Sequence, residues 1–597
     1  MDRIVPTGNE YISLPEISEN NCALESVSFL LMAQRGMVEL RGCKGKSFLS
    51  PYVVIDGTEL SFDAMQWHRE HCWIPVAEKK ADAAGIRVIW CAPVGERGFA
   101  VRIELDGIPA GSAVTMGFRV SWSEAAHCVN EDKPLEGTMH CYKSAWNESV
   151  IFDYRMGFPV FAFAPMCDQK VNSIYNVSAD GIECTLAHDL IVSEDGKAEL
   201  TSYWGFGFEE VAAATSAKEM LRRGWDVEYS KTVSYLQKRE KNFENKMVAR
   251  IYNTNLFFCI FYATGLTLDT EELVCVTSRS KRYYVSAAYW DRDTLLWAFP
   301  AILDADSALA KDMLKYVFTR QSRNAGIHSR YIDGTVLEPG FELDELLAPI
   351  LALQAYTRKT SDWNLKDERF ISDTIEHILA VLAEVKNPEE NLYETFLQPT
   401  DDERVYPYLT YDNVLVWKAL HSLSWLYPKK YSILSEKAEL VRTAIYENCI
   451  FTDEEGQRYF GWSVDLEGHH DIYDEPPGSL QLLPYYGFCS FDDAVWLNTV
   501  AMIRSPAYRF SFSGFPIAEI GCPHAPYPWV LSLCNSMLCG HADQAFRELE
   551  TLVMDNGIAC ESVDAVTGVC TTGAAFATCA GFLCHAIRYA SEVENAK

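Results

Sequence analysis

The chain has 597 residues, too many for one domain, and its 48% apolar and 23% charged residues exclude a disordered or low-complexity protein. A formal net charge of −31 repels phosphate backbones and anionic lipid heads, so no nucleic-acid partner and no membrane partner is expected. A small neutral ligand is favoured. The 19 cysteines run from Cys22 to Cys584, often inside apolar stretches (Cys259, Cys534, Cys579), and read as buried thiols in a reducing compartment. The first residues lack the charged-then-apolar order of a signal peptide, and the longest apolar run, 256–266, is too short to span a bilayer. A cytoplasmic, soluble protein is expected.

The first 210 or so residues read as β structure. Residues 99–105 and 114–122 alternate with a period of two, and turn signals recur at Asp56-Gly57, Gly107, Asp180-Gly181 and Asp195-Gly196. An antiparallel β-sandwich over 1–210 is the natural product of such a run. Ser216 stands three residues before Glu219, a capping-box spacing that predicts the start of a linker helix within 211–240. From there the period stays near 3.6. Helices are predicted over 249–265, 294–303, 307–320, 343–356, 370–384, 411–426, 432–447, 491–503, 527–539, 542–554 and 573–590. Loops rich in Tyr, Trp, Asp and Pro join them with irregular lengths, which argues against a solenoid and for a closed, mainly α (α/α)6 barrel over 241–597.

Several motifs fail on inspection. Gly45-Lys46-Ser47 resembles the end of a phosphate-binding loop, but Leu40 stands where its first glycine belongs. His68, His71 and Cys72 lack the i,i+4 histidine pair of a metal-binding helix, and His469-His470 is isolated. No nucleophile elbow and no dinucleotide fingerprint occurs. Neither a metal nor an organic cofactor is expected.

Three loops at the approach to helices carry the chemistry. In the first, Trp290-Asp291-Arg292-Asp293 sets a forked donor and paired acceptors beside an aromatic face, a combination that can grip vicinal sugar hydroxyls. The alternative is that Asp293 only caps the following helix. In the second, Glu342, Asp344 and Glu345 crowd a helix start. The helix dipole accounts for part of this, and in a dry cleft such neighbours also raise one another's pKa, as a general acid at neutral pH requires. In the third, Glu561 follows Gly557 in a loop that enters a helix of small residues; by itself it reads as an ordinary solvated residue.

Together the loops resemble those of the (α/α)6-barrel glycoside hydrolases: the bacterial glucoamylases and glucodextranases of family 15, the α-mannosidases of family 125 and the glycogen-debranching group. The resemblance implies a β-sandwich, linker helix and barrel, with Trp290, Asp291, Arg292 and Asp293 at the non-reducing terminal sugar, an acid in the second loop and Glu561 as base. The family 15 pattern puts the acid on Glu345 and the family 125 pattern on Asp344; both stay open. Glu342 is a further substrate-binding candidate, and Glu519 competes with Glu561 as base. Tyr411, Asp412, His524 and Trp529 sit in loops that match neither pattern and are expected to shape the substrate pocket. The function so implied is an inverting exo-α-glycosidase acting on glucose- or mannose-type terminal sugars of neutral oligosaccharides or glycosides. A phosphorylase on the same barrel and an inactive carbohydrate-binding protein are the alternatives. Oligomeric state is not legible.

Overall fold

The computed structural model describes residues 3–81, 84–145 and 147–595. The chain forms two compact units: Met1–Lys241 with Thr264–Val274 and Arg279–Ala287, and Asn242–Ala263 with Cys275–Ser278 and Ala288–Lys597.

The first unit is built on antiparallel sheets of six, eight and five strands. In the eight-stranded sheet, Gly98–Asp106 pairs with Ala198–Gly207 on one side and Ala84–Cys91 on the other, with Val101 opposite Ser202 and Trp90. The period-two pattern works as expected here. Phe99, Val101, Ile103 and Leu105 are buried, while Arg102 and Glu104 face outward. Asp56 and Gly57, both at positive φ, close the hairpin from Leu49–Ile55 to Thr58–Glu59, the backbone that an Asp-Gly turn favours. Rings from different sheets meet in one core, where Phe29 of the six-stranded sheet meets Phe161 of the eight-stranded sheet edge-on at 5.1 Å; within the eight-stranded sheet Phe152 stacks on its cross-strand partner Phe163 at 4.6 Å. Such pairs add roughly 0.5–1.5 kcal/mol each beyond their buried area.

Two helices follow, α1 (Glu210–Arg223) and α2 (Trp225–Gln237), broken at Gly224 with φ +84. The capping-box reading of Ser216 is therefore wrong. Ser216 lies inside α1 with its hydroxyl donating to Ala212 O at 2.9 Å, and Glu219 pairs with Arg222 instead. The helix lies close on the sheet because Gly205 and Gly207 have no side chain. A Cβ at Gly205 would stand 2.2 Å from Ala213 O.

The second unit holds α3 (Lys246–Tyr262), α4 (Phe299–Ala305), α5 (Ser307–Tyr316), α6 (Leu343–Thr360), α7 (Arg369–Glu384), α8 (Thr410–Leu426), α9 (Ile433–Asn448), α10 (Ala494–Ile503), α11 (Val530–Leu538), α12 (Ala542–Leu549) and α13 (Ala577–Asn595). Each falls on a predicted stretch; the starts differ where a cap intervenes. Asp493, for example, accepts from Val495 N and Trp496 N and so begins α10 at Ala494. Two kinds of helix alternate. α3, α6, α8 and α11 are buried nearly all round, whereas α5, α7, α9 and α12 bury one stripe, such as Ile371, Ile375, Ile378 and Leu382 of α7. α13 packs on α3 and α11, and α6 on α8. At Gly581 of α13 a Cβ would meet Ala298 Cα and Cys259 Sγ, each at 2.7 Å. No described helix is long and apolar enough to cross a membrane. No described cysteine is in a disulfide, and Cys259, Cys534 and Cys579 are buried.

Candidate active site

Four segments of the helical unit supply the site. The strands Ile327–Arg330 and Val336–Phe341 form a hairpin, and Tyr289 joins its edge through Tyr289 N to Arg330 O (2.9 Å) and Arg330 N to Tyr289 O (3.1 Å). This delivers Trp290 to Asp293 beside Glu342, where the hairpin runs into α6. Leu397 N donates to Phe341 O at 3.0 Å and brings in the turn that carries Asp401. The fourth segment leads into α13, whose Thr578 hydroxyl donates to Asp293 Oδ1 at 2.7 Å.

Arg292 is the hub. Its Nη1 donates to Glu342 Oε2 at 2.6 Å and to Asp344 Oδ2 at 3.2 Å, and its Nη2 to Asp401 Oδ1 at 2.7 Å. Glu345 has a different environment. Its Oε1 accepts Arg292 N at 3.0 Å, its Oε2 accepts Asp291 N, and Arg330 lies 3.5 Å away. Arg330 also pairs with Asp291, which accepts from the Tyr289 hydroxyl.

The first loop departs from its predicted role in two respects. Trp290 is 2% exposed, so it offers no open stacking face; its indole N–H donates to Asp401 Oδ1 at 3.2 Å and braces that turn. Asp293 is no helix cap. It lies within a π-helical stretch, Arg292–Ala298, a geometry frequent at functional sites. The donors of Arg292 expected to reach a sugar go to carboxylates instead.

Two guanidiniums cannot neutralise this many carboxylates. Burial raises the pKa of Glu342, Asp344 and Glu345 against the pull of Arg292, and it pushes Asp293 up to about 7. Burial acts on Asp401 as well, but Arg292 and His328 outweigh it and hold that carboxyl below the usual range. Asp412 sits in the first turn of α8 with neither carboxylate oxygen hydrogen-bonded; burial, then the charge of Asp344, raises its pKa well above the ordinary value. Tyr411 beside it meets the Tyr486 hydroxyl at 3.1 Å.

Glu561 is 2% exposed and its Oε1 accepts the Thr572 hydroxyl at 2.6 Å. It is not the solvated loop residue that its sequence context alone suggested. His524 lies within the charge field of Asp402, Glu561 and Asp401, which raises its pKa, Asp402 most of all. Trp529 holds the His524 loop through its indole N–H to Ala525 O at 2.9 Å. Glu519 is elsewhere engaged: Ser532 and Ser536 donate to it at 2.6 to 2.9 Å, and Arg504 lies 3.4 Å away.

Sequence reasoning missed His328, Arg330, Asp401 and Glu475. His328 and Arg330 are two apart on a strand, and Asp401 stands in an acidic run after Pro399, a pattern indistinguishable from a solvated turn. Glu475 Oε1 accepts from Gln398 (2.6 Å), Tyr473 (2.9 Å) and Thr400 (3.1 Å), and burial pushes its pKa up to about 8. Beside this loop opens a cleft of about 560 Å³, lined by Gln398, Tyr473, Tyr508, Phe510 and Pro523 among others.

A family model described as metal-independent alpha-mannosidase (GH125) matches residues 384–588, a stretch that includes α8 to α12 and Glu561. The meiotically up-regulated gene 157 protein of Schizosaccharomyces pombe is 29% identical over 196 residues, covering 30% of this chain and 38% of that relative. The chain therefore spans well under half of its length. Among solved structures, a bacterial glucoamylase complexed with acarbose aligns over 99% of this chain and 95% of its own (TM-score 0.66, 13% identity). A Streptococcus pneumoniae metal-independent α-mannosidase, in a non-productive complex with α-1,6-mannobiose, aligns over 60% of this chain and 97% of its own (TM-score 0.51, 16% identity). These likenesses bear out the resemblance to the (α/α)6 glycoside hydrolases, in fold through the solved structures and in sequence through the family model over residues 384–588.

Proposed function

We propose that this protein is a glycoside hydrolase, an inverting exo-α-glycosidase that removes a terminal sugar, mannose in preference to glucose, from a neutral oligosaccharide or glycoside. The observation that carries the reading is the convergence of Asp344, Asp401 and Glu342 on one buried guanidinium, with the Glu561 segment tied in through Thr578 and Asp293. The matched family favours mannose, since its model covers the Glu561 loop. In this reading the fold is a β-sandwich ahead of an (α/α)6 barrel, supported by the shared core between sheets and by the alternation of fully and one-sidedly buried helices.

Asp344 is the general acid. Glu345 accepts the backbone N–H groups of residues 291 and 292 and so holds the loop in shape, whereas Asp344 accepts from Glu345 N at 2.8 Å and, more weakly, from Arg292 at 3.2 Å. Burial raises the pKa of Asp344 against the pull of Arg292, which favours the protonated form, and in this reading Asp344 gives its proton to the leaving glycosidic oxygen. Glu561, oriented by Thr572, takes a proton from a water that attacks the opposite face of the sugar. Inversion places two such carboxyls roughly 6.5–9.5 Å apart, with room for that water. The surplus of carboxylates stabilises positive charge that develops on the ring as the bond breaks. The aromatic cleft beside Gln398 has room for the departing part of the substrate.

The test is the anomer first formed from an aryl α-mannoside, followed by NMR. The β-anomer is expected, and net retention overturns the mechanism. A phosphorylase needs a cationic phosphate pocket where this chain has Glu561, so a rate indifferent to added phosphate is expected. Activity should also survive dialysis against a chelator, since no proposed step requires a metal.

A further inference from the structure

The acid–base pair leaves one cluster of the site without a task. His328 Nδ1 lies 3.8 Å from Glu342 Oε1 and 3.7 Å from Asp401 Oδ1. Both gaps exceed the roughly 2.7–3.2 Å of a direct N–H···O bond and suit an interposed hydroxyl. His328 is 6% exposed and Glu342 0%, and both His328 Nδ1 and Glu342 Oε1 lack a hydrogen-bond partner. The His328 ring has its place because Gly340, across the hairpin, has no side chain: a Cβ there would stand 3.2 Å from His328 Cδ2. Trp290 closes the opposite side edge-on, at 6.0 Å and 77°. Only Asp401, its side chain 33% exposed and its φ at +65, opens the cluster outward.

Two carboxylates and an imidazole are also a ligand set that could hold a metal ion. Here, however, Arg292 donates to Glu342 at 2.6 Å and to Asp401 at 2.7 Å, so a fixed positive charge already stands on both carboxylates and repels a cation. A neutral hydroxyl meets no such penalty. It can donate its proton to Glu342 Oε1 and accept from His328 Nδ1–H, which completes both orphaned atoms at once.

We propose that His328, Glu342 and Asp401 form a subsite that reads one secondary hydroxyl of the terminal sugar, with His328 and Glu342 as its specificity-determining pair. The proposal rests on the glycosidase reading above and names how that site selects its sugar. A site built to hydrogen-bond a hydroxyl rejects the analogue lacking it far more strongly than an apolar pocket rejects a missing methylene.

The test measures kcat/KM of the full chain on 4-nitrophenyl α-mannoside and its 2-, 3-, 4- and 6-deoxy forms. In the wild type one deoxy position should lose about 10²–10⁴-fold. In His328→Leu the parent glycoside should lose about 10²-fold while that deoxy form stays within about threefold, so the discrimination collapses. His328→Asn keeps a donor near the place of Nδ1 and should recover part of it, and it remains informative if the Leu variant misfolds. An equal loss across all five glycosides overturns the proposal, as does a Ca²⁺- or Mg²⁺-dependent rate that disappears with His328. Should the wild type cleave none of these glycosides, the mannosidase reading fails by itself. Calorimetry of free mannose against its monodeoxy forms then decides the subsite: selectivity for one position, lost in the His328 variants, supports it, and its absence overturns it.

Discussion

Two buried carboxylate clusters in the helical unit show how the same side chains serve different ends. Around Glu519 the supply of donors is ample: the Ser532 and Ser536 hydroxyls reach both oxygens, and Arg504 stands by at 3.4 Å. Around Arg292 the supply falls short. One guanidinium serves Glu342, Asp344 and Asp401, leaving Glu342 Oε1 and both oxygens of Asp412 without partners. A buried carboxylate whose donors all come from the fold is part of the fold. One left short can hold a proton or await a ligand, and around Arg292 three such oxygens, Glu342 Oε1 and both of Asp412, lie in the site proposed above.

The comparison breaks most sharply at the two candidate bases. Glu561→Gln should lower kcat about 10²–10⁴-fold with the fold intact and regain turnover with azide, whereas folded Glu519→Gln should turn over within about threefold of wild type. The reverse result in steady-state kinetics transfers the base to Glu519. The two arginines come next. Arg292→Met strands several buried carboxylates and should cost about 3–5 kcal/mol in urea denaturation. Arg504→Met leaves Glu519 its hydroxyl donors and should cost about 1 kcal/mol. Within the Arg292 cluster, Glu345→Gln turns an amide toward the N–H groups of residues 291 and 292 and should cost about 1–3 kcal/mol of stability. A Glu345→Gln chain as stable as wild type would remove the loop-holding role.

The smallest effect is in pH dependence. Asp293 and Glu475 have folded-state pKa values raised from 3.8 to about 7 and from 4.5 to about 8. Each retains its proton in the folded chain where the unfolded chain has lost it. The stability they contribute is therefore complete below their unfolded values and fades as pH rises through about 7 and about 8. Glu475→Gln still accepts from Gln398, Tyr473 and Thr400 but cannot ionise. Its Tm advantage over wild type should be larger near pH 8.5 than near pH 5 by scanning calorimetry, and a constant offset would contradict the raised pKa.

Ser216 and Trp290 show where local reading stops. Ser-x-x-Glu is a cap signature only when the backbone before it is extended, and here α1 is already under way at Glu210. Trp290 beside Arg292 and Asp293 looks like a sugar platform until the turn at Asp401, over a hundred residues later, covers it. The acid assignment behaves likewise. Asp344 and Glu345 are adjacent in sequence, and the proposed division of their roles rests on the N–H groups of Asp291 and Arg292, which reach Glu345 from more than fifty residues away.

The amino-acid sequence by itself determined the order of strands then helices, the place of the helices α3 to α13 among the described residues, and the loops that carry Arg292, Asp344 and Glu561, because periodicity, caps and turn residues act over a few neighbours. Only the tertiary structure decided which carboxylates find donors, which aromatic face is covered, and that His328 and Asp401 lie beside Glu342 and Arg292. Burial and hydrogen-bond supply are set by segments distant in the chain, and no local pattern records them.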